Sequence, residues 1–438
     1  MMKTRIGIRR EDINKWERRV PLIPSHVREL MRENPVEVWM QPSSLRVFPD
    51  DDFRREGARV EEDLSSCSIV LGVKEIPPEF FRPGKIYGFF SHTVKGQPHN
   101  MPMLKRLIEL GATLFDYEKI VDERGRRLVF FGRQAGWAGM IDTLWTLGRR
   151  LEGEGTRTPF SHIRQMIHYA SLVEAREAVQ KAGWEIYRKG FPQSLAPCVF
   201  GFMGYGHVSQ GAQEIFDLLP LEEIRPEDLA SFVAGRAHSA NRVYKAVYKE
   251  EHLVEPRSAS AAFVLQDYYQ HPEKYRTVFE DHLPHLTAVV NGIYWSPKYP
   301  RFVTKAFLQR LFAGPESPRL RVIGDISCDV DGAIESTVKA TNPDHPVFVY
   351  DTILGREVEG VMGHGPAVMS VYNLPAEIPL ESSIFFSQTL KPFAAQLATA
   401  DFSGDFASFR LPQPLKNSVI LYKGEFTPPF QYMKAFVS

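Results

Sequence analysis

The chain has 438 residues, of which 43% are hydrophobic and 24% charged, as is usual for globular proteins. Its 53 basic and 53 acidic residues cancel, so no net positive charge would attract nucleic acid or an anionic membrane, and small-molecule partners are expected. The length predicts two domains. No signal-peptide core opens the chain and no apolar run approaches the roughly 18 residues of a membrane helix, so a cytoplasmic protein is expected.

The cysteines and histidines give no metal-ligand pattern. Cys67, Cys198 and Cys328 lie far apart, as buried thiols in a reducing compartment do. His282 and His285 are spaced like two ligands but lack a third, so a surface loop is favoured and no metal site is predicted.

In the N-terminal third, strand-like runs alternate with helical ones. The predicted strands are 4–9, 36–40, 68–75, 85–90 and 113–121, and the predicted helices are 25–32 and 101–110. Such alternation is typical of an α/β domain with a parallel sheet.

The middle of the chain contains a second α/β pattern. Its predicted helices are 135–151, a second one that runs through residue 181, and 210–219; its predicted strands are 198–203, 286–295 and 320–326. Two later strands, 347–351 and 367–373, are interpreted as a return to the first domain. The prediction is two Rossmann-like domains with parallel sheets, in which a dinucleotide-binding domain (132–336) is inserted into a catalytic domain (1–131 plus 337–438).

A glycine-rich turn at 199–212 is the strongest local signal. Gly204 would permit a tight turn after the strand, Gly206 would let the backbone approach a pyrophosphate, and Gly211 would let the helix pack closely on its strand. His207 and Val208 begin the helix, whose N-terminus would face the anion. The pattern indicates a dinucleotide site; the alternative is an ordinary strand–turn–helix corner.

Ionisable residues stand at the ends of three successive predicted strands. Lys74 and Glu75 lie at the carboxyl end of the first, His92 and Lys95 follow the second, and Glu118 lies toward the end of the third. The carboxyl ends of parallel strands usually bind the ligand, so their convergence predicts an active site. Taken singly, each residue could instead be solvated, structural or a helix cap.

Ordered motifs run along nearly the whole chain. They are 8–11, 16–22, 73–75, 90–95, 116–119, 132–136, 138–140, the glycine turn, 291–295, 325–329, 373–375 and 379–381. In these motifs the chain resembles the lysine-forming saccharopine dehydrogenases, also called lysine-ketoglutarate reductases, relatives of alanine dehydrogenase and the transhydrogenase nucleotide domain. The likeness is greatest to the reductase half of the bifunctional animal and plant enzymes. No second, glutamate-forming half follows, so one reaction step is expected.

The resemblance implies condensation of the lysine ε-amine with 2-oxoglutarate and reduction of the imine by a nicotinamide nucleotide to saccharopine, reversibly. It assigns acid–base catalysis to Lys74 and His92, and tuning of that pair to Glu75 and Glu118. Proton transfer near neutral pH requires a lysine with a lowered pKa, which desolvation or a neighbouring cation can provide.

The substrates carry three carboxylates, so forked cationic donors are expected. The resemblance gives this role to Arg19 and Arg127, and Lys95 is a further substrate-binding candidate. Arg19 could instead be a surface residue lying over Trp16.

For the cofactor, the resemblance adds Asn291 and Asp329 to the glycine turn. A residue about 20 positions after such a turn usually distinguishes the two nicotinamide nucleotides, and Arg225 is placed to accept a 2′-phosphate. NADP(H) is therefore favoured, with NAD(H) possible because acidic residues precede Arg225. His207 and Arg133 depart from the family pattern, which leaves the details of nucleotide binding open.

Two other functions stay open. An enzyme like alanine dehydrogenase is disfavoured by the longer segment at 236–273 and by the 291–295 motif. A catalytically silent nucleotide sensor is disfavoured because it would not need both Lys74 and His92. The sequence does not determine the oligomeric state.

Overall fold

The computed structural model describes residues 3–235, 237–315 and 317–437. The chain forms two compact units, the first from 1–131 and 379–438 and the second from 132–378. Residue 236, the first of the longer segment noted above, lies outside the described residues. Within those ranges, no helix combines the length and apolar character needed to cross a membrane.

The strands are numbered in chain order. They are β1 (Thr4–Ile8), β2 (Val36–Met40), β3 (Arg59–Val60), β4 (Ile69–Leu71), β5 (Ile86–Phe89), β6 (Thr113–Asp116), β7 (Cys198–Met203), β8 (Leu221–Glu223), β9 (Val243–Tyr248), β10 (Val254–Pro256), β11 (Tyr275–Thr277), β12 (Ala288–Asn291), β13 (Val322–Asp325), β14 (Val347–Asp351), β15 (Arg356–Glu359), β16 (Ala367–Met369), β17 (Val419–Tyr422) and β18 (Glu425–Phe426).

The α-helices are numbered likewise. They are α1 (Pro24–Glu33), α2 (Asp50–Arg55), α3 (Met101–Glu109), α4 (Gly132–Gly153), α5 (Leu172–Lys189), α6 (His207–Phe216), α7 (Leu229–Ala234), α8 (Glu250–Leu253), α9 (Leu265–Gln270), α10 (Lys305–Phe312), α11 (Pro379–Thr399), α12 (Gln413–Asn417) and α13 (Lys434–Val437).

The first unit is built on a sheet of strand order β18-β17-β6-β5-β4-β1-β2-β3. Strands β1 to β6 pair in parallel, and β17 joins β6 antiparallel. Every residue of β4, β5 and β6 is buried, as expected for central parallel strands covered on both faces. The carboxyl ends of these three neighbours therefore lie side by side.

The predicted strand 113–121 is too long, because β6 ends at Asp116. The Asp116 side chain accepts a hydrogen bond from the backbone N–H of Glu118, and Tyr117–Lys119 turns as a short 3₁₀ helix. A side chain that bonds the backbone two residues on competes with strand pairing. This turn places Glu118 beyond the end of the sheet.

The second unit is built on a sheet of order β15-β14-β16-β13-β12-β7-β9-β8. Strands β8, β9, β7, β12, β13 and β16 pair in parallel in that spatial order, and β14 and β15 continue the sheet antiparallel. The fully buried strand β7 lies between β9 and β12. The chain therefore reverses its direction of sheet growth at β7, which is where ligands bind in open α/β sheets.

The predicted return of 347–351 and 367–373 to the first domain is wrong. Strand β16 pairs with β13 of the second unit, and β14 pairs with β16. The second unit therefore runs to residue 378 rather than 336. An apolar strand carries no local signal of its partner, so sequence patterning could not assign these two strands to a sheet.

Gly211 has a different role from the one predicted. A Cβ on Gly211 would stand 2.3 Å from the carbonyl oxygen of Arg133 in α4, and one on Gly136 would stand 2.1 Å from the carbonyl oxygen of Val208 in α6. The two glycines thus bring helices α4 and α6 into backbone contact. Gly211 serves this contact between helices rather than packing of α6 on its own strand.

Candidate active site

The first unit places four ionisable side chains at the ends of three neighbouring strands. Lys74 and Glu75 follow β4, His92 follows β5 and Glu118 follows β6. All four are half-buried, so each side chain has limited access to solvent. We call these residues the strand-end cluster. A parallel sheet brings together here the residues that the sequence distributes over 45 positions.

Lys74 lies in surroundings that favour its neutral amine. Burial lowers the pKa of Lys74, and the positive charge of Arg19 lowers it further. Glu75 and Glu17 oppose this shift but do not cancel it. A lysine amine with a lowered pKa can exchange protons closer to neutral pH than an exposed lysine can.

Glu75 and His92 form a direct pair. The His92 Nδ1 lies 2.5 Å from Glu75 Oε1. Burial alone would raise the pKa of Glu75, but the hydrogen bond and charge of His92 outweigh it and lower that pKa. His92 has a left-handed backbone (φ 46°). Its ring stacks on that of Phe90, with 6.3 Å between the ring centres and 15° between the ring planes. The carboxylate orients the imidazole and leaves Nε2 as the nitrogen for proton transfer.

Asp116 holds the turns after β5 and β6 together. Its carboxylate is buried and accepts hydrogen bonds from the Ser91 backbone N–H (3.2 Å), the Ser91 hydroxyl and the Glu118 backbone N–H (2.8 Å). Burial raises the pKa of Asp116 to about 6 despite these bonds. The turns that carry His92 and Glu118 are therefore fixed to one buried acid.

Arg19 is deeply buried and paired within the first unit. Its Nε and Nη2 donate to the two carboxylate oxygens of Glu17 at 2.7 and 2.6 Å, and its guanidinium lies 4.6 Å from the ring centre of Phe131. Arg19 is 3% exposed and Glu17 1%. The alternative of a surface arginine over Trp16 is therefore wrong.

The other two predicted substrate-binding residues are more accessible. Arg127 is 52% exposed and forms an ion pair with Glu118 at 3.2 Å. Lys95 is exposed on the turn after His92. Arg127 could exchange its exposed ion pair for a substrate anion at little cost, because such pairs contribute little to stability.

The glycine turn of the second unit borders a cleft of about 510 Å³. Gly204 has a left-handed backbone (φ 88°), and a Cβ there would stand 2.7 Å from the Ile293 side chain. Apart from Gly206 itself and its two chain neighbours, no heavy atom of the described residues lies within 4 Å of the place a Cβ on Gly206 would take. Exposed His207 and half-buried Val208 open α6 beside this space. The glycine-turn cleft therefore offers both the close approach and the helix N-terminus that suit a pyrophosphate.

On the side of β7 away from β12, the neighbouring strand is β9 and not β8. This strand order changes the prediction for Arg225. Arg225 follows the edge strand β8, is 78% exposed and pairs with Asp228 at 2.6 Å. Glu250 follows β9 and lines the glycine-turn cleft. The Tyr269 and Tyr205 hydroxyls donate to its carboxylate at 2.6 and 3.2 Å. Chain distance from the glycines pointed to Arg225 because β8 comes before β9 in sequence but outside it in the sheet.

Asn291 and Asp325, at the ends of β12 and β13, are hydrogen-bonded to each other. The Asn291 amide donates to Asp325 Oδ1 at 2.8 Å, and the Thr337 hydroxyl donates to Oδ2 at 2.6 Å. Burial raises the pKa of Asp325 to about 6. Asp329 lies exposed on the following loop. The buried Asp325 therefore organises the loop that carries the predicted cofactor residue Asp329.

Three residues important to these sites were not assigned roles from sequence. Glu11 and Asp116 stand within recognised motifs but had no visible function, because their partners are backbone groups of distant turns. Glu250 falls too far from the glycine turn for the usual spacing. The order of strands in the sheet, rather than any local pattern, reveals all three.

The chain resembles known proteins along its length. Residues 7–138 match the family described as "Alanine dehydrogenase/PNT, N-terminal domain". The chain is 36% identical over 446 residues to alpha-aminoadipic semialdehyde synthase, mitochondrial, of Bos taurus, with 99% of this chain and 48% of that protein covered. The chain thus spans about half the length of that relative.

A saccharopine dehydrogenase [NAD(+), L-lysine-forming] of Emericella nidulans is 27% identical, with 89% of this chain and 91% of that protein covered. A solved structure of L-alanine dehydrogenase aligns with a TM-score of 0.63 at 16% identity, covering 99% and 100% of the two chains, which supports a common fold. The predicted α/β architecture with two Rossmann-like sheets is confirmed. Together with the matched motifs, these similarities show that residues 7–138 belong to the alanine dehydrogenase/transhydrogenase family and that the whole chain is related to alpha-aminoadipic semialdehyde synthase and to the lysine-forming saccharopine dehydrogenases.

Proposed function

We propose that the chain is an NAD(P)-dependent oxidoreductase that joins the ε-amine of lysine to 2-oxoglutarate and reduces the imine to saccharopine, reversibly. The observation that carries the proposal is a desolvated Lys74 next to Glu75, whose carboxylate is hydrogen-bonded to His92. Condensation removes a proton from the amine and delivers protons to the departing hydroxyl, so it needs a base and an acid with pKa values near neutrality.

The residues of the first unit divide this work. Lys74 accepts the proton of the incoming ammonium, and His92 Nε2 delivers a proton as water leaves. Glu75 stabilises the charged imidazole, and Glu118 keeps the local charge balanced. Arg127, Lys95 and Arg19 supply positive charge for the substrate carboxylates.

The glycine-turn cleft of the second unit fits a nicotinamide nucleotide, which supplies or receives the hydride when bound. Gly204, Gly206 and Gly211 shape the turn and the helix contact, and the N-terminus of α6 at His207 and Val208 faces the phosphates. Asn291 and Asp329 lie on the loops after β12 and β13 and would contact the nicotinamide half.

Glu250 rather than Arg225 is the residue proposed to bind the adenine ribose, and it favours NAD(H) over NADP(H). Two tyrosine hydroxyls fix its carboxylate in the cleft, where it can accept a bond from a ribose hydroxyl and would repel a 2′-phosphate. This reverses the preference inferred from Arg225 alone.

A steady-state assay tests the reaction. The purified chain is supplied with NADH or NADPH, 2-oxoglutarate and either lysine, ornithine or ammonia, with pyruvate plus ammonia as the arm for an alanine dehydrogenase. Turnover with lysine and 2-oxoglutarate, and saccharopine identified by mass spectrometry, are expected. Turnover confined to pyruvate and ammonia, or none in any arm, would refute the proposal.

The same assay tests the nucleotide preference. Glu250→Ala should lower kcat/KM for NADH by an amount equivalent to about 1.5 to 3 kcal/mol, as for a hydrogen bond to a charged group. The difference between kcat/KM for NADH and kcat/KM for NADPH should therefore become smaller. Arg225→Ala is the matched control and should change neither value. A parent that prefers NADPH, or an Arg225→Ala variant that loses NADPH selectively, would return the role to Arg225.

A further inference from the structure

Glu11 has no role in the reaction proposed above, yet it lies directly beneath the turn that carries Lys74. It is 6% exposed. Its Oε1 accepts the backbone N–H of Val73 at 2.7 Å and its Oε2 accepts that of Lys74 at 2.9 Å. Both carboxylate oxygens are thus used on consecutive peptide groups.

These two bonds fix a short and otherwise irregular segment. Strand β4 ends at Leu71, and the next residue, Gly72, would place a Cβ 3.5 Å from Glu11 Oε1. Each backbone N–H would otherwise be buried without a partner, which costs about 1 to 3 kcal/mol. One side chain from the segment that follows β1 therefore sets the course of the backbone from Val73 to Glu75.

We propose that Glu11 is the positioning residue for Lys74 and, through Glu75, for His92; the inference rests on the proposed function. Both carboxylate oxygens of Glu11 accept backbone N–H groups, so Glu11 fixes the peptide groups from which Lys74 and Glu75 extend. A displacement of about 1 Å at a catalytic group can cost on the order of 10²-fold in rate. Such a shift would also alter the short Glu75–His92 contact.

Glu11 also belongs to the electrostatic surroundings of the cluster. The charged and titratable groups that face it are Arg9, Glu17, Arg46, Lys74 and Tyr117. Burial and Glu17 raise the pKa of Glu11 to about 7. Its negative charge is among the influences that raise the pKa of Lys74, so a neutral residue at position 11 should lower that pKa further.

The test compares Glu11→Gln, Glu11→Asp and Glu62→Gln in the full chain. Glutamine keeps the size but turns an amide donor toward one of the two N–H groups, whereas aspartate keeps the charge but is too short to reach both. Glu62 is an exposed carboxylate paired with Arg10, so Glu62→Gln controls for loss of a nearby charge. We expect kcat to fall by roughly 10²-fold in Glu11→Gln and less in Glu11→Asp, with KM for the nucleotide unchanged in both.

Two pH profiles separate positioning from a loss of stability. In Glu11→Gln the limb of the kcat/KM profile that reports Lys74 should move to lower pH, and in Glu11→Asp it should stay in place. Independently of turnover, the rate of Lys74 acetylation by acetic anhydride, followed by mass spectrometry against Lys95 as internal reference, should show the same shift.

If the parent forms no saccharopine, the proposed reaction fails while the acetylation profile still decides the role of Glu11. Parental kcat in Glu11→Gln, or a Lys74 acetylation profile identical to that of the parent, would overturn the positioning role. If Glu11→Gln does not fold, Glu11→Asp carries the test: a parental kcat in that variant would likewise overturn it.

Discussion

The strand-end cluster of the first unit and the glycine-turn cleft of the second occupy equivalent positions, each at the carboxyl ends of central parallel strands. They are held in different ways. In the first unit, buried carboxylates accept backbone N–H groups and fix the turns that carry ionisable side chains. In the second unit, glycines remove side chains so that backbone can approach a ligand or a neighbouring helix.

This difference separates chemistry from binding. Proton transfer needs titratable side chains whose positions and pKa values are controlled, and the buried polar contacts of the first unit provide this control. Pyrophosphate binding needs space and backbone N–H groups, and the glycines of the second unit provide both. Substitutions in the strand-end cluster should therefore change the rate of the reaction. Substitutions of glycines in the second unit should change nucleotide affinity or helix packing.

The largest effect should come from Lys74. Lys74→Met should lower kcat with lysine and 2-oxoglutarate by roughly 10² to 10⁴-fold, because a general base is lost, while the nucleotide Kd measured by fluorescence titration stays nearly unchanged. His92→Gln should have an effect of the same kind. Lys105→Met, on the exposed face of α3, is the control. Full turnover in both Lys74→Met and His92→Gln would remove the acid–base assignment.

A second large effect should come from Arg19. Arg19→Ala leaves Glu17 buried without its partner, so the free energy of unfolding in urea should fall by about 3 to 5 kcal/mol. If Arg19 also binds a substrate carboxylate, KM for one substrate should rise by an amount equivalent to about 1.5 to 3 kcal/mol.

The double variant Arg19→Ala/Glu17→Gln separates the two roles of Arg19. It removes the unpaired charge and should recover much of the stability. If KM for both substrates also returns to the parental value, Arg19 is structural and does not bind substrate.

The contact between α4 and α6 should respond to a single methyl group. Gly136→Ala places a Cβ about 2 Å from the Val208 backbone, and overpacking of this kind typically costs about 1 to 3 kcal/mol, occasionally more. Thermal unfolding should show the loss. Gly206→Ala is the matched variant, since its Cβ meets open space: it should retain the parental Tm but bind the nucleotide more weakly. Equal Tm values for Gly136→Ala and the parent would show that the helices separate easily.

The smallest effect concerns a buried pair of acids in the second unit. Asp142 accepts the Met166 backbone N–H at 2.7 Å and lies against Glu377, and both are buried. Burial raises the pKa of Asp142 to about 7, and burial together with Asp142 raises that of Glu377 well above its usual range. The folded state therefore binds more protons than the unfolded state above pH 4 or so, and stability should fall as pH rises toward and beyond 7.

Asp142→Asn keeps the acceptor for Met166 and gives Glu377 a donor. It should flatten this pH dependence, so that the loss of unfolding free energy between pH 5 and pH 8 shrinks by about 1 to 3 kcal/mol. Urea unfolding at the two pH values measures it. An unchanged slope would mean that the pair does not control stability in this range.

The residues of the strand-end cluster could be predicted from sequence because each lies within a few positions of the end of a strand. The apolar runs of β4, β5 and β6 are long enough to recognise, and parallel strands place their ends at one edge. For the same reason the glycine turn after β7 identified the cleft. In both regions a local pattern was enough to predict the position.

Partners that are distant in sequence could not be predicted. Glu11 acts on peptide groups 62 and 63 positions away, Arg19 packs against the ring of Phe131, and Glu250 reaches the cleft because β9 enters the sheet inside β8. Local propensity and periodicity describe single strands and helices, whereas strand order, burial and the balance of buried charges arise when the chain folds. The sequence by itself therefore determined the α/β class, the glycine turn and the ionisable residues at the strand ends, and only the tertiary structure decided which acids hold them in place.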